Sequence, residues 1–291
     1  MSDDPFVTHR GLLFTVAYEM LGSAVDAEDV LQESWLKWDR VDRAEVRDSR
    51  AYLVRIVTRA SLDRLRTIAR RREEYVGPWL PEPLLTSPDV AEDLELADSL
   101  STAMLLVLET LTPTERAVFL LREVFDLDYA ELAEAVGKSE AAVRQIAHRA
   151  RTHVAARQPR NAASQAETRS ALEAFLRTLE TGDLQHLVDV LAPDVVALGD
   201  GGGIKQALPR PVMGADKVGK LMAVGIATFK ELGMSMELVQ VNGWPALLIR
   251  LDGEIDSVLS VRVVDGLVSA IYTVRNPEKL SRMARESVLA R

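Results

Sequence analysis

The hydrophobic pattern of this 291-residue chain changes period part-way along, and no single layer of secondary structure accommodates both halves. In the first half apolar residues recur every three to four positions, as in Leu12, Leu13, Val16, Met20 and Leu21, which is the spacing of one face of an α-helix. From residue 234 onward the chain is rich in Val, Ile and Leu, and Asn242–Gly243, Asp252–Gly253 and Asp265–Gly266 punctuate it at the spacing of hairpin turns. A helical first half and a sheet-bearing second half follow, so the chain is multidomain. The length agrees, because domains of roughly 100–200 residues each close their own core.

Within the helical half, Gly22 ends the first helix and Asp26 is placed to cap a second, DAEDVLQESWLKW, with Glu28 and Asp29 where the helix dipole favours anions. Val30, Leu31, Trp35 and Trp38 are available to the core, while Asp29, Gln32 and Glu33 fall on an acidic face. A third helix over 50–72 alternates Leu53, Ile56, Val57, Ala60 and Leu65 with Arg55, Arg59, Arg64, Arg66 and the run Arg70, Arg71, Arg72. Arginines beside aromatics such as Tyr52 supply the phosphate neutralisation and stacking that single-stranded or distorted DNA requires. Further on, Thr112, Pro113 and Glu115 form a capping box with proline at the first helical position. The segment DYAELAEAVGKSEAAVRQIAHRAR then reads as two helices joined at Gly137–Lys138–Ser139, with Val143 and Ile146 inward and Arg144, Gln145, His148 and Arg149 outward. This is the pattern of a helix-turn-helix whose second helix enters a major groove.

Composition narrows the chemistry. There is no cysteine, and the four histidines are too scattered for a ligand spacing, so no metal site, cofactor or redox centre is expected. The N-terminus lacks a signal-peptide pattern and no apolar run reaches the roughly 18 residues of a membrane span, which points to a cytoplasmic protein without a membrane partner. Taken as a total, the net charge of −9 opposes a nucleic-acid partner, but it is segregated: −6 over residues 1–34, +7 over 35–72, −13 over 73–140, +5 over 141–160 and −2 over 161–291. Since charges more than about 8 Å apart are largely screened at physiological salt, DNA meets the two basic islands and not the total.

The stretch 73–99 carries prolines at 78, 81, 83 and 88, which fix φ and remove amide donors, so an extended path is expected. Trp79, Leu80, Leu84 and Leu85 are too apolar for a free tether and should dock. Beyond a polar bridge at 158–165, two helices separated at Thr181–Gly182–Asp183 and a strand ending in Gly201, Gly202 and Gly203 are expected. A third helix over 213–230 and a curved antiparallel sheet follow.

The acidic helix at 26–38, the basic helix ending LDRLRTIARRR at 62–72 and the helix-turn-helix segment at 111–151 together resemble the extracytoplasmic-function (ECF) sigma factors of bacterial RNA polymerase. The resemblance implies that Asp26, Asp29, Gln32, Glu33 and Trp38 meet the polymerase clamp, that Arg55, Arg59, Asp63 and Arg66 act at the melted promoter element, and that Arg144, Gln145, His148 and Arg149 read the distal element. Many members carry an asparagine where Arg59 stands. The second half resembles the SnoaL-like branch of the cone-shaped α+β fold shared with ketosteroid isomerases. Sigma factors with that extension carry a tryptophan–proline linker phrase, a DGGG phrase and an asparagine–proline phrase, here WLPEPL (79–84), DGGGIKQ (200–206) and NPEKL (276–280).

These readings divide the chain into sigma region 2 over 1–72, an acidic proline-rich linker over 73–99, region 4 over 100–158 and a SnoaL-like domain over 165–291. The implied function is to direct core RNA polymerase to promoter DNA, tuned by the C-terminal domain through an interdomain surface of Trp79, Pro81, Pro83, Asp200, Gly201, Gly202, Gly203, Lys205, Asn276 and Pro277. Two other readings stay open on the residues: a one-component DNA-binding regulator sensing a small ligand in the cone domain, and a SnoaL-type enzyme fused to a helical module. For the enzyme, Asp194, Asp200, Lys205, Asp256 and Tyr272 are the available polar residues, but no spacing fixes the Asp and Tyr arrangement that ketosteroid isomerases use, and no catalytic residue is assigned.

Overall fold

The structure is a computed structural model describing residues 4–87, 93–159, 161–181, 184–230, 233–284 and 286–290. Pro88 and the expected break at Gly182–Asp183 lie outside the described residues, as do the side chains of Arg70, Arg71 and Arg72.

The first module consists of α1 (Pro5–Thr8), α2 (Arg10–Leu21), α3 (Ala24–Trp38) and α4 (Ser49–Glu73). Gly22 closes α2 in a left-handed conformation. Helix α3 begins before the expected Asp26 cap, because the Ser23 hydroxyl accepts the Asp26 N–H at 3.3 Å and so satisfies the first-turn donor itself. The second module runs α5 (Leu94–Leu100), α6 (Thr102–Leu108), α7 (Pro113–Glu123), α8 (Tyr129–Val136) and α9 (Glu140–Ala155). Helix α7 starts at the Thr112–Glu115 capping box, α8 at a second box formed by Asp128 and Glu131, and α9 at Ser139. The turn between α8 and α9 passes through Gly137 at φ 66°, a left-handed conformation that glycine adopts without steric cost.

The C-terminal domain contains α10 (Gln165–Thr181), α11 (Leu184–Asp189), β1 (Leu191–Asp200), β2 (Val212–Met213), α12 (Ala215–Lys230), β3 (Met234–Val241), β4 (Trp244–Leu251), β5 (Glu254–Val264), β6 (Leu267–Val274) and α13 (Pro277–Leu280). The six strands are ordered β2-β1-β6-β5-β4-β3. Strands β3 to β6 form a meander through the three expected turns, whose Asn242, Asp252 and Asp265 have φ of 53°, 49° and 51° and are each followed by a glycine of positive φ. The sheet is not wholly antiparallel: β1 lies parallel to β6, because a long connection through α12 and the meander separates them.

Each sheet face buries its own cluster. One packs Leu172, Phe175 and Val218 from the helices on Leu247, Leu259 and Ile271. The other packs Leu80 of the linker and Leu280 of α13 on Leu248, Val258 and Tyr272. The two helical modules are not separate bodies: a single cluster runs from Leu13, Leu53 and Val57 of the first to Leu120, Leu132 and Val143 of the second.

Candidate polymerase, promoter and interdomain surfaces

On α3 the buried stripe is Ala27, Val30, Leu31, Ser34 and Trp38, at the three- and four-residue steps of one helix face. Trp38 is 1% exposed, donates its indole N–H to Asp4 at 3.0 Å and packs on Tyr52, so it belongs to the core and does not present itself to a partner. Trp35, expected inside, lies off that stripe and is 41% exposed, beside Leu36, Gln32 and Glu33. The acidic pair behaves differently again: Arg64 of α4 bridges Asp26 at 2.7 Å and Asp29 at 2.6 Å. The outward surface of α3 is therefore Gln32, Glu33, Trp35 and Leu36, with Asp29 partly committed inside the chain.

On α4, Arg55 and Arg59 meet the helix-turn-helix. Arg55 pairs with Glu134 at 2.7 Å, and Arg59 donates to the carbonyls of Glu134 at 2.7 Å and Ala135 at 3.4 Å. Those carbonyls belong to the last turn of α8, where helical C=O groups lack partners within the helix and the dipole is negative, so a guanidinium is a fitting cap. Asp63 and Arg66 are exposed and pair with each other at 2.9 Å. On α9, by contrast, Arg144, Gln145, His148 and Arg149 are all exposed. Arg144 pairs with Glu140 at 3.0 Å and stacks 4.3 Å from the Tyr129 ring, while Arg149 reaches Glu115 only at 3.8 Å.

The interdomain residues converge on Asp200 at the end of β1, which is fully buried. One carboxylate oxygen accepts the Leu80 N–H at 2.8 Å and Lys279 Nζ at 2.7 Å; the other accepts the Tyr75 hydroxyl at 2.6 Å and the Gly202 N–H at 3.1 Å. Lys279 also donates to the Leu80 carbonyl at 2.5 Å and sits 4.2 Å from the Trp79 ring. Asn276 caps α13, with Pro277 at its first position, and donates to the Tyr75 hydroxyl at 2.9 Å. Gly202 has φ 62° and stands where a Cβ would strike the Asn276 amide; a Cβ on Gly201 would strike the Lys205 carbonyl. Gly203 lies against Val76. Lys205 joins a neighbouring pair instead: it meets Asp256 at 3.0 Å opposite Arg275 at 2.9 Å. Burial pushes the Asp256 carboxyl up, but these two cations outweigh it and hold it below its usual range.

The linker also grips the first module. Between the buried Pro81 and Pro83, Glu82 donates its N–H to the Gly22 carbonyl at 2.9 Å and accepts the Ala24 N–H at 2.7 Å at the start of α3. The Tyr18 hydroxyl donates to the Glu82 carbonyl at 2.5 Å and to Asn242 at 3.2 Å, and Asn242 accepts the Leu84 N–H at 2.9 Å. Leu85 bridges the edge strand β3 at Val241, and Ser287 of the C-terminal tail donates to the Leu85 carbonyl at 2.8 Å. Leu289 then enters the helical core and Ala290 donates to Thr15 at 3.0 Å. Beside this joint Glu19 is buried with Ser99 as its hydrogen-bond donor, and burial pushes its carboxyl up to about 8.

Of the polar residues considered for catalysis, Asp194 is exposed and Asp200 lies at the other end of the strand, while Asp256 is ion-paired and Tyr272 is buried against the linker side of the sheet. They do not form one constellation. The residues that sequence reasoning missed are Tyr75, Glu82, Asn242 and Lys279 at the joint and Glu134 over α4. Lys279 stood inside the NPEKL phrase, whereas an isolated tyrosine or a helix-end glutamate carries no local signal.

A two-module helical body, with an exposed basic recognition helix and a second arginine-bearing helix, defines a promoter-recognition protein of the sigma-70 type. Residues 6–72 match the family model for sigma-70 region 2 and residues 101–154 that for sigma-70, region 4. The chain is 36% identical to the ECF RNA polymerase sigma factor SigJ of Mycobacterium tuberculosis (strain H37Rv), over 97% of this chain and 94% of that one. It is 30% identical to the probable ECF sigma factor SigI of the same species, over 96% and 94%. The crystal structure of M. tuberculosis SigJ superposes with a TM-score of 0.76 at 33% identity, covering 95% of this chain and 97% of that one. The chain belongs to the ECF sigma factors, and beyond the two sigma regions it carries a C-terminal α+β domain. Sigma factors bind core RNA polymerase and promoter DNA. Among the described residues no helix is long and apolar enough to cross a membrane.

Proposed function

We propose that this sigma factor acts in the cytoplasm with core RNA polymerase, and that its C-terminal domain sets its activity through the linker. The polymerase contact is the outward surface of α3, where Trp35 and Leu36 supply apolar area and Gln32 and Glu33 the polar and charged groups. Arg55 and Arg59, with Arg66 and Asp63, act at the melted element, and α9 reads the distal element with Arg144, Gln145, His148 and Arg149. The domain boundaries at 72, 99, 158 and 165 follow these roles.

The observation that carries the regulatory reading is the buried Asp200–Lys279 pair, which takes both the N–H and the carbonyl of Leu80 of the linker as partners. Two consecutive stations of one linker are thus held by different bodies, Leu80 by the C-terminal domain and Glu82 by the start of α3. A change at either station repositions the polymerase-binding helix relative to the domain. A covered α4 fits the same scheme, since Arg55 and Arg59 must leave α8 before they contact DNA.

Run-off transcription by purified core polymerase tests this reading. Trp79→Ala and Asp200→Asn alter promoter-dependent transcription, while the affinity of the full chain for duplex DNA carrying only the distal element stays within about twofold. Unchanged transcription from both variants overturns the regulatory role; no promoter-dependent initiation with the unaltered chain overturns the polymerase role.

A further inference from the structure

Helix α6, the bridge after α9 and one end of the sheet enclose a cavity of about 540 Å³. That volume falls within the roughly 300–1,000 Å³ of small-molecule sites, which concentrate where domains meet. Its walls include Met104 and Val107 from α6 and Trp244 and Val261 from the sheet. The indole N–H of Trp244 donates to the Ala97 carbonyl at 2.9 Å, which fixes the ring as one wall.

The charged groups lining it are not equivalent. Glu167 is taken up at the start of α10, where one of its oxygens accepts from the Ser164 N–H at 2.7 Å and hydroxyl at 2.8 Å. Arg262 uses Nε on the Ser269 hydroxyl at 3.1 Å, and its two terminal amino groups have no partner among the described residues. Arg157, just past the end of α9, donates to the His153 carbonyl at 3.3 Å. Burial pushes the Asp98 carboxyl above its usual value, and it has no ion pair among the described residues. A ligand with one negative charge satisfies Arg262; a second negative charge meets Asp98.

We propose that this cavity binds an apolar molecule bearing a single carboxylate, its hydrocarbon part on Met104, Val107 and Trp244 and its carboxylate on Arg262. The site touches the linker clasp directly, because Val241 and Trp244 line it and bracket Asn242, which holds Leu84. Bound ligand therefore favours the arrangement in which α6 rests on the sheet. This consequence rests on the proposed role of the linker, whereas binding itself does not, and the test reads binding without polymerase.

The experiment is a fluorescence titration of the full chain with 1-anilinonaphthalene-8-sulfonate, which carries one anionic group on apolar rings. Saturable one-site binding is expected, weakened at least tenfold by Arg262→Gln and abolished by Ala103→Trp, which fills the cavity from α6. Met213→Gln, an exposed position on β2, leaves it unchanged. Decanoate displaces the dye and uncharged decanol does not. Should Ala103→Trp fail to fold by circular dichroism, Ser260→Trp takes its place. Absence of saturable binding, equal binding by the unaltered chain and both cavity variants, or displacement by decanol as effective as by decanoate overturns the proposal.

Discussion

The two helices assigned to promoter DNA stand in opposite conditions. On α9 the four reading residues are exposed, and their contacts are loose: a pair within the helix, a ring stack and a glutamate at 3.8 Å. On α4 the two leading arginines are taken up by α8 through one carboxylate and two carbonyls. On the proposed assignment the same chain offers its distal reader to DNA while withholding its melting face. What holds α8 there is partly local and partly remote, since Arg116 of α7, buried and pushed down to about 10 by that burial, donates to the Met20 carbonyl of α2 at 2.7 Å. The cover over α4 is the visible end of a shared core.

The largest way to break this contrast is to loosen the whole assembly at its buried joint. Asp200→Ala strands the Lys279 ammonium, the Tyr75 hydroxyl and the Leu80 N–H, and removing one partner of a buried ion pair costs about 3–5 kcal/mol. Urea denaturation checks it: a loss under about 1 kcal/mol means that the joint is not a stabilising contact.

A smaller and pH-dependent effect comes from Glu19 on α2, hydrogen-bonded to Ser99 on α5. Burial pushes its carboxyl from an ordinary 4.5 up to about 8 in the folded chain, so the folded state binds the extra proton between these limits. Its contribution is full below about 4.5 and is lost as pH rises through about 8. Stability measured across that window declines, and Glu19→Gln flattens the decline. Glu82 at the same joint is also raised by burial, so a decline that persists unaltered in the variant assigns the effect to it.

Glu134→Arg acts on the cover alone. It replaces attraction to Arg55 by repulsion, and pairs at this exposure are worth about 1 kcal/mol or less, so affinity for single-stranded promoter DNA rises by up to about fivefold. Fluorescence anisotropy with labelled strand reads it, and no change means that α8 does not compete with DNA. The smallest effect belongs to the open helix. Arg149→Ala lowers the slope of log affinity against log salt by about one unit, because one phosphate contact is lost. An unchanged slope places Arg149 away from the backbone.

The contrast between the helices was only half legible in the sequence. Local chemistry was readable where it decides the outcome locally: the Asn–Gly and Asp–Gly turns, the Thr112–Glu115 capping box and the outward face of α9 all stand as expected. Where two residues compete for one role, sequence could not choose between them. Trp35 and Trp38 both suit a core, but only the stripe through Leu31 and Ser34 decides which one turns inward. Asp26 and Ser23 both cap helices, and the earlier one prevailed. Contacts between distant segments left the least trace. Lys205 was expected on the surface that holds the linker and instead pairs with Asp256, while Lys279 occupies the Asp200 carboxylate. Nothing local to Glu134 indicates that it will meet Arg55 from 79 positions away.

The central claim is that α4 is covered in the free chain and uncovered for transcription. The chain has no cysteine, so Thr67→Cys on α4 and Lys138→Cys at the α8–α9 turn, both exposed positions, place two spin labels without interference. Pulsed dipolar spectroscopy is then run on the free protein and on its transcribing complex with core polymerase and promoter DNA. A short, single distance in the free chain that lengthens in the complex is the predicted result. The same short distance in a complex that yields run-off transcript would contradict it.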